Sequence, residues 1–306
     1  MNPVHWTTLV DVDVLAAALG IHALNLVDAR AISALAAASH DLRLLDARAT
    51  LSDPSAGRAA FDVSHIPGAV HADLDLQLSD HARRGHGRHP LPDAAAFART
   101  VGGWGIGPAH QVVVYDAGDG SMAAARAWWL LTLLGHQRVA VLDGGLAAWR
   151  AAGLPETAAT DRPPPLPPYP CSTYAAARIA TAAQVQARLG QAPGWLLDAR
   201  GAERFAGQVE PIDPVAGHVP SAVNRPFPLN LHDGRFRPAA ELRAELLDAL
   251  RGHPPSEAVL MCGSGVTACH LLLAMEHAGL GGAQVFAGSW SGWIEDPSRP
   301  VATGPA

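Results

Sequence analysis

Short apolar runs alternate along this chain with longer stretches whose apolar positions recur at helical spacing. Val112-Val113-Val114-Tyr115 and Ala258-Val259-Leu260-Met261 are of the first kind, and such uninterrupted runs predict strands covered on both faces, as in a parallel sheet. Residues 122–134 and 266–278 are of the second kind. The latter closes at Gly279, a residue free to adopt the left-handed turn that ends helices. Strand and helix patterns in alternation predict an α/β fold of βα units around a mainly parallel sheet, with helices on both faces.

The pattern occurs twice. Leu44-Leu45-Asp46-Ala47-Arg48 returns as Leu196-Leu197-Asp198-Ala199-Arg200, and His65-Ile66-Pro67-Gly68-Ala69-Val70 returns as His218-Val219-Pro220-Ser221-Ala222-Val223. Val112-Val113-Val114-Tyr115-Asp116 answers Ala258-Val259-Leu260-Met261-Cys262, and Val141-Leu142-Asp143-Gly144 through Trp149 answers Val285-Phe286-Ala287-Gly288 through Trp293. A period of about 150 residues is too long for a solenoid and predicts two tandem domains of one fold. The expected boundaries are a first domain over 1–155, a proline-rich linker over 156–172 and a second domain over 173–306. In the linker, Asp161-Arg162-Pro163-Pro164-Pro165-Leu166-Pro167-Pro168-Tyr169-Pro170 withholds backbone donors and favours an extended, semi-rigid connector.

Composition narrows the chemistry. With 306 residues, 49% of them hydrophobic and 16% charged, the chain can bury the cores of two domains. A formal net charge of -6 offers no broad basic field for nucleic acid. All 22 basic residues are arginine. Without lysine, Schiff-base chemistry and the phosphate-loop lysine of nucleotide hydrolases are both excluded. Met1-Asn2-Pro3-Val4-His5-Trp6 has no basic region leading into a long apolar core, and no stretch reaches about 18 uninterrupted apolar residues. The expected location is cytoplasmic, with no membrane partner. The 3 cysteines, Cys171, Cys262 and Cys269, cannot pair fully and show no Cys-x-x-Cys spacing.

Cys262 stands between the apolar run 258–261 and the helical pattern from 266, ahead of Gly263-Ser264-Gly265-Val266-Thr267. N–H groups of a tight Gly-Ser-Gly loop and of a first helical turn have no intrahelical partners, so they can face the sulfur and stabilise negative charge on it. An inert small hydrophobe at a strand end is the alternative. Glycines at 263 and 265, which let the backbone curl, and hydroxyls at 264 and 267 favour a nucleophile whose loop cradles a charged sulfur or an oxyanion. The first domain offers Asp116 at the matching place, in a longer loop, so one half is expected to be active and the other supporting. Cys269 reads as a helix-face packing residue and Cys171 as incidental.

Three rival readings are weaker. A cysteine phosphatase needs an arginine where Ala268 stands, to hold phosphoryl oxygens in a two-pronged grip. Gly118-Asp119-Gly120-Ser121-Met122-Ala123 fits a dinucleotide-binding pattern, but its strand comes late in its unit and it is the counterpart of the Cys262 loop. His81, His86 and His89 invite a metal, yet Arg83, Arg84 and Arg88 in an expected flexible loop repel a cation.

On Cys262-Gly263-Ser264-Gly265-Val266-Thr267-Ala268, both Asp-Ala-Arg segments, both His-x-Pro segments, Trp128-Trp129, Asp143-Gly144-Gly145 and Gly288-Ser289-Trp290, nearly the whole chain resembles the two-domain rhodanese-superfamily sulfurtransferases. It is most similar to their 3-mercaptopyruvate branch. Thiosulfate-preferring members show Cys-Arg-Lys-Gly-Val, whereas Gly263 and Ser264 leave this loop neutral.

The resemblance implies ping-pong transfer through a Cys262 persulfide held by residues 263–267. A small-molecule donor supplies the sulfur and cyanide, a small thiol or a thioredoxin-like protein accepts it, with no metal and no organic cofactor. An exposed thiol of this kind is open to oxidation to sulfenic acid. The resemblance further implies a Ser264 relay to a carboxylate at Asp75, in Asp73-Leu74-Asp75, and a donor-binding arginine at Arg204. His89, in His89-Pro90-Leu91-Pro92, and Arg225 are expected as further substrate contacts. Where the family pattern runs Glu-Pro-Arg, this chain has Glu210-Pro211-Ile212, which withholds a second donor arginine. Thiosulfate:cyanide transfer, and a persulfide relay or redox sensor acting on a partner protein, remain alternatives.

Overall fold

A computed structural model describes residues 5–21, 41–160 and 162–305; residues 1–4 at the start of the chain and Asp161 of the proline-rich run lie outside them. The chain divides into two compact units, Met1–Leu78 with Pro92–Tyr174, and Ser79–Leu91 with Ala175–Ala306.

In the first unit the elements are β1 (Leu9–Val10), α1 (Val12–Ala18), β2 (Leu42–Asp46), α2 (Ala56–Val63), β3 (Ala69–His71), α3 (Ala94–Gly103), β4 (Gln111–Tyr115), α4 (Ala123–Leu133), β5 (Val139–Leu142) and α5 (Gly145–Ala151). The strands form a parallel sheet in the order β1-β5-β4-β2-β3. The second unit repeats this order as β6-β12-β11-β7-β8, again parallel. Its elements are β6 (Ile179–Ala180), α6 (Ala182–Ala187), β7 (Leu196–Asp198), α7 (Ala202–Phe205), β8 (Val223–Asn224), the hairpin strands β9 (Leu231–His232) and β10 (Arg235–Phe236), α8 (Ala239–Ala249), β11 (Val259–Met261), α9 (Thr267–His277), β12 (Gln284–Phe286) and α10 (Ser289–Trp293). The fold is thus two tandem α/β units of one topology, as the internal repeat predicts. Strands β4 and β11 are the middle strands and wholly buried, which is why their sequences are uninterrupted apolar runs.

The repeated motifs are structural clasps. Arg48 pairs with Asp46 and Arg200 with Asp198, each at 2.7 Å, and each guanidinium also donates to a backbone carbonyl, of Ser64 at 2.6 Å and of Gly217 at 2.9 Å. His65 stacks on Phe61 and His218 on Phe205, with ring centroids 3.8 Å apart in both cases. Each histidine backbone also bridges to a late segment of its own unit, Thr157 or Ala302. Satisfied buried pairs of this kind order a structure; deleting one partner typically costs about 3–5 kcal/mol because a buried charge is left bare.

The proline-rich segment is no free connector. Leu166 N–H donates to the Gly102 carbonyl at 2.8 Å and Tyr169 N–H to that of Ala98 at 2.9 Å, so the strap lies along α3. A Cβ on Gly102 would meet the Pro167 carbonyl oxygen at 2.4 Å, so glycine there permits the close approach. Among the described residues, no helix is long and apolar enough to cross a membrane.

Candidate active site

Strand β11 ends at Met261 and delivers Cys262 into the loop that opens α9. The turn depends on Gly265, whose φ is +78°. Its N–H donates to Cys262 Sγ at 3.2 Å, the contact expected of a loop that stabilises charge on sulfur. Cys269, in the first turn of α9, donates its thiol to the Gly265 carbonyl at 3.2 Å, so it pins the loop as well as packing. Cys262 itself is 1% exposed. This burial corrects the expectation of an exposed thiol; the Gly265 nitrogen lies 3.2 Å and Ser289 Oγ 4.0 Å from the sulfur.

Helix α10 contributes what sequence reasoning missed. Cys262 N–H donates to Ser289 Oγ at 3.0 Å, and Ser289 Oγ–H donates to the Phe286 carbonyl at 2.9 Å, with the oxygen 4.0 Å from Sγ. Trp290 N–H and Ser291 N–H donate to the carbonyls of Cys262 and Gly263, each at 2.9 Å. Ser289 holds a φ of +50°, a conformation that costs a non-glycine residue of order 1 kcal/mol or more and persists where surroundings demand it. The first-unit counterpart is Gly145 at φ +53°, and a serine where the copy has glycine, within the motif Gly288-Ser289-Trp290, is the sequence signal that its hydroxyl is used.

Ser264 Oγ and His89 Nδ1 are hydrogen-bonded at 2.8 Å, both groups being buried. The segment carrying His89 is anchored within the second unit, in contrast to the flexible loop expected. Gly87 N–H donates to Glu295 Oε1 at 3.0 Å and Arg88 N–H to Ser291 Oγ at 3.1 Å.

Arginines alter the loop's electrostatics. A Cβ on Gly263 would lie 3.0 Å from Arg88 Nη2, and 3.6 and 3.7 Å from Arg204 Nη1 and Nη2. The loop is neutral in its own residues, and two guanidinium groups from other segments, each paired with carboxylates, stand over it. Arg204 donates to Glu210 at 2.8 Å and to Asp213 at 3.2 Å, and Arg88 pairs with Asp213.

The remaining candidates are Arg225, Asp75, Val266 and Thr267. Arg225 is buried, donating to Glu245 at 3.1 Å and to the Leu229 carbonyl at 3.4 Å, beside α8 rather than among the residues around Cys262. Asp75 belongs to the first unit, half-buried, its N–H donating to Asp73 Oδ1 at 2.9 Å. Val266 caps α9 and Thr267 begins it.

The first unit's matching loop shows why it holds no sulfur. Leu146 N–H and Ala147 N–H donate to the carbonyls of Asp116 and Ala117, mirroring α10 and the Cys262 loop. The loop's own N–H groups close on the Asp116 carboxylate, from Gly118 at 3.2 Å, Gly120 at 3.0 Å and Met122 at 3.3 Å. The cradle carries a built-in anion. Burial, with Asp119 adding to it, pushes the Asp116 carboxyl up to about 6. A carboxyl raised on folding binds its proton more tightly in the native state, so its contribution is most favourable below the unfolded value near 4 and is lost as pH rises through 6. Asp116→Asn should therefore gain stability relative to the parent, by up to roughly 3 kcal/mol, on going from pH 4 to pH 7. Denaturant midpoints of the two proteins at both pH values test this; an unchanged difference between them would refute it.

The rhodanese-like domain model matches residues 12–152 and 181–296. A probable 3-mercaptopyruvate sulfurtransferase of Pseudomonas aeruginosa is 51% identical over 262 residues, 84% of this chain and 90% of that protein. A putative thiosulfate sulfurtransferase of Mycobacterium tuberculosis is 42% identical over 287 residues, 92% of this chain and 98% of that protein. Among solved structures, the 3-mercaptopyruvate sulfurtransferase of Leishmania major superposes with a TM-score of 0.78 at 28% identity, covering 95% of this chain and 76% of that one.

Proposed function

The chain belongs to the rhodanese-like domain family, and on that premise we propose that it is a sulfurtransferase that moves sulfur from 3-mercaptopyruvate onto Cys262 and on to cyanide or a thiol. The observation that carries the reading is the Cys262 cradle, in which the Gly265 N–H faces Sγ and Ser264 of the same loop is hydrogen-bonded to His89.

In the first half-reaction the Cys262 thiolate attacks the donor sulfur. The new S–S bond forms as the donor's C–S bond breaks, and the electron pair passes to carbon as the enolate of pyruvate. The proton shed by the transferred sulfur ends on that carbon, leaving pyruvate and a Cys262 persulfide anion. The Ser264–His89 hydrogen bond suits it to move that proton, since hydroxyl and imidazole can each donate or accept. In the second half-reaction an acceptor, cyanide or a thiolate, attacks the outer sulfur and returns Cys262 as thiolate. Because the sulfur rides on Cys262 itself, the cycle calls for no metal and no organic cofactor. Small thiols and thioredoxin-like proteins are the acceptor classes proposed, in the cytoplasm.

Thiosulfate is the second donor worth testing, because guanidinium groups over Gly263 also suit a sulfonate. Steady-state rates with each donor under saturating cyanide separate the two. A thiosulfate kcat/KM more than about tenfold above that of 3-mercaptopyruvate, or about 1.4 kcal/mol in the transition state, would overturn the donor assignment. Arg204→Ala should weaken 3-mercaptopyruvate use by roughly tenfold or more, the worth of a charge-assisted hydrogen bond. Thermal melting should show whether any equal loss on both donors reflects instead the broken Arg204–Glu210 pair.

A further inference from the structure

We propose that Arg88 and Arg204 together grip the carboxylate end of the donor, and that Asp213 is the resident counter-ion which this carboxylate replaces. The proposal rests on the donor reading above and names the groups that would recognise it. Arg88 and Arg204 come from separate segments, one on residues 79–91 and the other at the end of α7. Their tips nevertheless converge over Gly263, beside the nucleophile, in space that any larger side chain at that position would take. Asp213 bridges them, one carboxylate oxygen on Arg88 and the other on Arg204. A carboxylate spanning two planar forks shows the shape and charge that this seat holds.

Two carboxylates face the pair, and they differ. Burial pushes Glu210 up, but Arg204 and the N–H groups of Asp213 and Ile212 outweigh it and hold the carboxyl below the ordinary range. Burial pushes Asp213 up and is not outweighed, even with Arg88 beside it. Glu210 is therefore the fixed anchor of Arg204, and Asp213 is the less stabilised carboxylate, the one an incoming anion displaces at lower cost. With Arg200, which stands 3.7 Å from Glu210 and pairs with Asp198, three arginines face three carboxylates and the charges balance, so an added anion binds by exchange rather than simple addition. Asp213 lies on a segment without helix or strand between Gly207 and Gly217, both with positive φ. A cleft of about 480 Å3, whose lining includes Arg84, Arg88, Asp213 and Ser291, opens beside it and provides room for the exchange.

The test compares 3-mercaptopyruvate with its methyl ester, which keeps the thiol and carbonyl but carries no carboxylate, using persulfide formation and cyanide-linked turnover. Arg88→Ala should lower the acid-to-ester ratio of kcat/KM by about ten- to a hundredfold, from the loss of charge-assisted hydrogen bonds. Arg88→Lys, which keeps charge without the fork, should recover part of it. Asp213→Asn, which keeps a similar shape but loses the competing charge, should raise the ratio severalfold. Equal losses on acid and ester in Arg88→Ala would overturn the grip. A ratio in Asp213→Asn that falls as in Arg88→Ala would overturn the exchange and make Asp213 a positioning residue. If the parent protein turns over neither compound while thiosulfate loads Cys262, the donor reading itself fails and the proposal falls with it.

Discussion

Cys262→Ser is expected to abolish sulfur transfer from every donor, by at least about a thousandfold in kcat/KM, because the covalent carrier is gone. Serine fits the cradle, since the Gly265 N–H can turn to its oxygen and Ser289 still accepts from the backbone N–H of residue 262. Its hydroxyl is hardly ionised near neutrality and cannot form a persulfide. The loss should therefore come with a thermal midpoint within a few degrees of the parent's, which separates removed chemistry from lost fold. Residual turnover above about one per cent of the parent's would show that another route carries the sulfur.

Gly265→Ala should be damaging in a different way. Residue 265 has a φ of +78°, where an L side chain is strained, and a Cβ there would lie 2.2 Å from the Ala287 carbonyl oxygen. That oxygen belongs to backbone between β12 and α10 and has no flexible end to swing aside. Left-handed strain costs about 1–2 kcal/mol and the overlap adds to it, so a loss of roughly 2–4 kcal/mol in denaturant unfolding is expected. Any relief moves the loop, taking the Gly265 N–H off Sγ and Cys269 off the Gly265 carbonyl, so activity should fall by more than tenfold. Gly263→Ala is the comparison. Its Cβ meets guanidinium tips rather than backbone, so it should cost less stability while still disturbing the donor. Equal stability losses in the two variants would contradict the role given to the Gly265 turn.

Much of this arrangement was legible in the sequence because its signals are local. Apolar runs mark β4 and β11 as strands of a parallel sheet, the duplicated Asp-Ala-Arg and His-x-Pro segments mark two copies, and a cysteine before Gly-Ser-Gly marks the cradle. The contributions that sequence reasoning missed are non-local. Arg88 looked like one of several loop arginines, and only the packing of residues 79–91 in the second unit puts its tip over Gly263. Ser289 is separated from Cys262 by all of α9 and β12, and what makes it notable is a backbone angle. Arg225 looked like a plausible replacement for the arginine absent at Ile212, but Glu245 on α8 engages it. Proline content marks the strap as a connector but carries no sign of the backbone partners that Leu166 and Tyr169 find on α3.

Mass spectrometry of the protein after 3-mercaptopyruvate is added without an acceptor shows whether Cys262 carries the sulfur. A gain of one sulfur atom is expected, mapping to the peptide that contains Cys262 and lost on adding cyanide. No gain, or a sulfur mapping to Cys171 or Cys269, would contradict that role of Cys262.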